Sequence, residues 1–74
     1  MKNAMVCEVA GYKLVATEWW YSEKAKEILV AEFHVEHGGD KEPLKDLLDY
    51  TGPLSDEESW SGLVKAFVEC VANN

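Results

Sequence analysis

Residues 29–37 alternate without a break: Leu29, Ala31, Phe33, Val35 and His37 interleave with Val30, Glu32, His34 and Glu36. Successive side chains of a strand point to opposite faces, so such a run defines one apolar and one polar face. Its β-branched and aromatic content suits a pleated backbone. The stretch has a second reading, in which Ser22 caps a helix, residues 23–27 propagate it and Gly38 stops it. A helix would stack Glu32 on Glu36 at i,i+4, like charge on like charge. The alternation predicts a strand from Glu27 to His37, closed by Gly38, Gly39 and Asp40. The helical reading would instead give a β-hairpin with three helices.

The chain before this strand is also of β type. Met5, Cys7 and Val9 alternate with Val6 and Glu8, Gly11 interrupts, and residues 12–17 resume the pattern. A tight hairpin with Ala10-Gly11 at its tip sets Glu8 opposite Lys13 and Cys7 opposite Leu14. That register gathers Met5, Cys7, Val9, Tyr12, Leu14, Ala16 and Trp20 on one face. Val6, Val15, Trp19 and Tyr21 fall on the other, beside Glu8, Lys13 and Thr17.

After Asp40 the periodicity changes to a helical one. Pro43 suits a first turn, and Leu44, Leu47 and Leu48 form an i, i+3, i+4 stripe that Gly52-Pro53 ends. Ser55-Asp56-Glu57-Glu58 matches a capping box, with acids at the positive end of the helix dipole. The helix it would start presents Trp60, Leu63, Val64, Phe67 and Val71 inward and Lys65 and Glu69 outward. The expected fold is α+β: a three-stranded antiparallel sheet followed by two C-terminal helices packed on one face, with residues 1–74 as one domain.

Charge narrows the function classes. Fourteen Asp and Glu face seven Lys, with no Arg, for a formal charge of −7. Nucleic-acid binding rests on cationic contacts to phosphate, and Arg is the side chain best shaped for them, so direct nucleic-acid binding is not expected. Nor is binding to anionic membranes. An acidic surface steers toward basic partners, and it also keeps a small protein soluble. Hydrophobic residues make up 47% of the chain, enough for a folded core despite the charge. Cys7 and Cys70 form no metal-ligand or CxxC spacing and read as reduced core residues. The start reaches Glu8 too early for a signal-peptide apolar region and no run approaches a membrane span, so a cytoplasmic location is expected.

Catalytic and metal chemistry find little footing. His34, His37 and Asp40 are the right residue types for a zinc-like ion, but i and i+3 on a strand point to opposite faces, so no metal or cofactor is expected. The two thiols lie on core stripes, where they would be inert. Ser55 and the acid pairs have structural explanations as caps and solvated helix faces. A sheet with two helices leaves little room for a pocket of ~300 Å³. An enzyme is not expected.

Two surfaces remain as candidates for binding a protein. One is the aromatic sheet face of Val6, Val15, Trp19, Tyr21 and Val30, apolar anchors inside a charged rim. The other is an acidic surface of Asp46, Asp49, Asp56, Glu57 and Glu58, expected on neighbouring helices and able to imitate phosphate charge in a basic groove. The leading expectation is a small acidic inhibitor or adaptor of a larger, basic, nucleic-acid-handling protein. Phage-encoded anti-defence proteins, anti-CRISPR proteins among them, and immunity proteins share this size and charge, a parallel of character carried by no motif. The alternatives are a structural or regulatory homodimer, joined through the outer sheet face or an edge strand bearing His34 and His37, and a metal-binding protein using His34, His37 and Asp40.

Overall fold

The computed structural model describes residues 3–41, 44 and 52–73. Four strands, β1 (Met5–Val9), β2 (Tyr12–Ser22), β3 (Glu27–His37) and β4 (Gly52–Ser59), form one antiparallel sheet in the order β1-β2-β3-β4, followed by helix α1 (Trp60–Asn73). The architecture is α+β. Its sheet has one strand more than expected, and the described residues contain one C-terminal helix.

The β1–β2 hairpin has the expected register, with Glu8 opposite Lys13 and Cys7 opposite Leu14. Its tip holds Ala10 at φ 51° and Gly11 at φ 86°, the left-handed pair that matches the natural twist of a two-residue hairpin. Gly11 is required by its backbone conformation, and the end of the Lys41 side chain would have to give way to any larger residue. A Cβ there would be strained by the backbone and would meet Lys41 Cε at 2.8 Å. The Lys41 stem lies across the tip, and its ammonium sits 5.6 Å from the centre of the Tyr12 ring, a cation–π contact at the end of the core.

β3 spans the expected residues and excludes the helical alternative for residues 27–37. Ser22 does act as a cap, but of a single turn. Its Oγ accepts from Ala25 N at 3.1 Å, its carbonyl accepts from Lys26 N at 2.7 Å, and Lys26 at φ 57° then reverses the chain into β3. The helix signal at Ser22 was a turn signal.

The main departure lies midway along β2 and β3. Pairing runs regularly from Tyr12↔His37 to Ala16↔Phe33, passes through Glu18↔Glu32, and resumes at Trp19↔Val30. Thr17 and Ala31 are left without register partners. A bulge in one strand exchanges its faces beyond that point. Here both strands bulge together, so pairing survives while both faces exchange. Trp19 and Val30 thereby turn toward the core, against the expectation that they face outward, and Trp20 turns away from it. Thr17 Oγ1 donates to Glu32 Oε1 at 2.9 Å across the irregularity. Trp19 Nε1 donates to the Asn3 carbonyl at 3.0 Å, tying the approach to β1 onto β2.

A second departure concerns residues 55–58. They belong to β4, not to a helix start; β4 pairs with β3 at Phe33↔Gly52, Glu32↔Pro53, Val30↔Glu58 and Leu29↔Ser59, and the register shift between Val30 and Glu32 leaves residues 54–57 without register partners. The cap of α1 is Ser59, whose Oγ accepts from Gly62 N at 3.1 Å. A Cβ on Gly62 would lie 2.8 Å from that oxygen, so the glycine is what lets the cap close. By residue type Ser55-x-x-Glu58 is the better capping box, but Glu58 is held in register with Val30 of β3, and the helix starts after it. The helix expected from Pro43 falls outside the described residues except for Leu44, which is buried in the core.

Helix α1 packs on one face of the sheet as its stripe implies. Leu63 and Phe67 are buried, Trp60, Val64, Cys70 and Val71 pack against the cluster, and Lys65 and Glu69 are exposed. Across from them lie Tyr12, Leu14, Ala16, Val30 and Phe33, flanked by Met5, Cys7, Val9, Trp19 and Val35. Both thiols are free and half-buried at the margin of this core.

Phe67→Ala empties a fully buried site and should cost about 3–5 kcal/mol in denaturant unfolding. Trp19→Ala should cost about 2–4 kcal/mol, whereas Trp20→Ala should cost under about 1 kcal/mol. The reverse order would place the wrong tryptophan inside. At the hairpin tip, Ala10→Gly should stabilise by about 0.5–1 kcal/mol and Gly11→Ala should destabilise by about 1–2 kcal/mol, read from thermal midpoints.

Candidate functional site

With α1 on the inner face, no described element lies over the other face of the sheet. Register assigns that outer face row by row. Val6, Val15 and His34 form one row and Glu8, Lys13 and Glu36 the next toward the hairpin tip. Beyond the bulges, Trp20 pairs with Leu29. The outcome is a central apolar strip of Val6, Val15, Trp20 and Leu29 with charged residues toward the tip. Val6 is 54% exposed, whereas Val15 is 7% exposed on the central strand between its neighbours.

Of the five residues expected to form this face, Val6 and Val15 are on it. Trp19 and Val30 are in the core or against it, for the reason given by the paired bulges. Tyr21 is 54% exposed, yet its register with Ile28 puts it on the Trp19 side, where the hairpin extends past the core. Trp20 and Leu29 take the vacated places, and plain alternation misassigns both. The signal that could have flagged them is the run Trp19-Trp20-Tyr21 itself, since three consecutive large aromatics fit no single face.

Of the residues expected to form the acidic surface, the three that the structure describes lie on a strand and not on a helix. Asp46 and Asp49 lie outside the described residues. Asp56, Glu57 and Glu58 lie on β4, at the sheet edge, with Glu57 and Glu58 exposed.

His34 and His37 point to opposite faces, as their spacing on a strand requires. His37 stacks at a tilt on Tyr12, ring centres 6.3 Å apart, while His34 is on the outer face. No group of three or more His, Cys, Asp or Glu among the described residues is arranged to hold a metal ion. His34 Nε2 instead lies 2.8 Å from Glu36 Oε2, two positions along the same strand. The hydrogen bond from His34 holds the Glu36 carboxyl below its ordinary value of 4.5. Partial desolvation opposes this, and the charges of His34 and of Lys13, its cross-strand neighbour, add to it.

An open groove of about 330 Å³ runs over the charged row, lined by Glu8, Gly11, Lys13, Glu36, His37 and Gly38. A groove of this size was not expected from so small a sheet. It forms where the hairpin tip and the end of β3 stand beside each other. Its lining carries two carboxylates, an ammonium and an imidazole, and neither cysteine.

No described helix is long and apolar enough to cross a membrane. Comparison of the chain with protein-family models, with curated proteins and with solved structures gives no match.

The Glu36 shift has a definite sign. A carboxyl whose folded value is depressed contributes stability that is complete above its unfolded value and is lost as pH falls through the folded one. The contribution of the Glu36–His34 contact should therefore be lost as pH falls through a value below 4.5. A carboxyl-detected NMR titration should give Glu36 a midpoint under 4.5, and His34→Ala should move that midpoint back up.

Proposed function

We propose that this chain is a small acidic, non-enzymatic binding protein that uses the sheet face opposite α1 to hold a larger protein of basic character, as an inhibitor or adaptor. The observation that carries the reading is the outer strip of Val6, Val15, Trp20 and Leu29. A tryptophan and three aliphatic side chains sit on a rigid sheet with charged groups beside them and no described layer on top. Aromatic anchors on a preordered surface hold a partner at low entropic cost, because little is left to be ordered on binding.

The charge of −7 supports the sign of the partner. Exposed Glu8, Glu36, Glu57 and Glu58 steer a basic surface inward and raise the rate of encounter, whereas the apolar strip sets how long the complex lasts. Partners of this character include enzymes that handle nucleic acid, whose grooves carry the opposite charge. An anti-defence protein of a phage, of the anti-CRISPR kind, or an immunity protein would work in this way.

The test is capture from a lysate of the source cell on immobilised protein, with mass-spectrometric identification and binding then measured on the purified pair. Trp20→Ser should weaken the complex by about tenfold or more. Val68→Ser, at an exposed site on α1, should leave it unchanged. The complex should weaken as salt rises. Equal binding by wild type and Trp20→Ser would remove the sheet face from consideration.

A further inference from the structure

The two edges of the sheet are unlike. β4 begins with Gly52-Pro53 and carries Asp56, Glu57 and Glu58. A proline and a run of like charges are the devices that keep an edge from pairing with another strand. β1 has none of them. Its five residues, Met-Val-Cys-Glu-Val, contain one charge, no lysine, no proline and no bulge against β2. β3, which bears His34 and His37, is interior and so is not the edge expected for self-association.

The hairpin fixes which backbone groups of β1 are open. In a two-residue hairpin the pair next to the turn, Val9↔Tyr12, exchanges both hydrogen bonds, and the exchange then alternates. Met5, Cys7 and Val9 therefore spend their N–H and C=O groups on β2, whereas those of Val6 and Glu8 point away from the sheet. A strand docking on this side must present two outward-pointing residues at the same spacing. β1 itself does so.

We infer that β1 is a self-association edge, on which the β1 of a second copy pairs antiparallel about a two-fold axis through Cys7. In this register Val6 of each copy exchanges hydrogen bonds with Glu8 of the other, and Met5 lies opposite Val9. Cys7 faces its own counterpart in a non-hydrogen-bonded pair, where Cα atoms stand about 4.5 Å apart. All five strand residues are used. No carboxylate faces a carboxylate, which a register centred on Glu8 would impose. The half-buried stripe of Met5, Cys7 and Val9 continues across the axis and joins the two cores. The product is an eight-stranded sheet with both outer faces on one side, so the dimer offers the proposed partner surface twice over.

Sedimentation equilibrium over a range of micromolar concentrations tests this, with the full chain carrying Cys70→Ser. The expected result is a reversible dimer that tightens as salt screens the like net charges, opposite to the salt response of the basic-partner complex. Val6→Pro removes an outward N–H while leaving the β2 pairing intact, and should give a folded monomer by circular dichroism. Val6→Glu sets a carboxylate against Glu8 of the other copy twice per dimer and should weaken it roughly tenfold. Val6→Lys should strengthen it by a similar factor. With oxidised glutathione, the Cys7 thiolate of one copy should displace one glutathione. The Cys7 of the second should then displace the other from the mixed disulfide, leaving a covalent dimer. A monomer at every concentration, or a dimer that Trp20→Ser abolishes while Val6→Pro spares it, would overturn the inference. Trp20→Ser acting on partner binding alone leaves the dimer untouched, so the two readings fail separately.

Discussion

The coordinated slip of β2 and β3 at Thr17 and Ala31 is the constraint from which most of the remaining structure follows. Had one strand bulged alone, the sheet beyond it would have lost registry, and one apolar set would have faced the other's polar set. Because both strands give up one residue, Trp19 and Val30 arrive together on the side where α1 lies. That side holds Leu14, Phe33, Leu63 and Phe67 in full burial. A small chain with a single sheet has only one face to bury, and the slip decides which tryptophan goes there.

Much of the fold was legible where a local rule acts alone. The β1–β2 register followed from glycine at the tip and alternation on either side. The bounds of β3 followed from nine residues of strict period two, and the inner side of α1 from its apolar stripe. Where two rules competed, the local one lost. Ser55-x-x-Glu58 is a good capping box, but Glu58 and Ser59 are held in register with Val30 and Leu29 of β3, a pairing that a helix started at Ser55 would forgo. The helix begins instead at the plainer Ser59. Neither Thr17 nor Ala31 carries a residue-level mark of a bulge, such as glycine, so alternation was carried straight through them. Plain alternation therefore exchanges Trp19 for Trp20 and Val30 for Leu29 in the expected binding face.

The functional reading depends on charge and face together. Net negative charge constrains the sign of a partner, and the register states which side chains are free to meet it. The imidazole of His34, read in the sequence as half of a metal pair, is engaged with Glu36 on the outer face. Its sequence neighbour in that pair, His37, lies across the sheet against Tyr12. Their odd spacing on a strand keeps those two rings from converging.

An outer face over which no described element lies has a consequence for how the molecule can change over generations. The side chains that hold the chain folded and those presented to the surroundings occupy opposite sides of one sheet, divided by the backbone. Substitutions at Val6, Trp20 or Leu29 leave the packing of Phe33 and Phe67 intact. A lineage can therefore rewrite what this surface fits, in step with a target that is itself changing, without first regaining a lost fold.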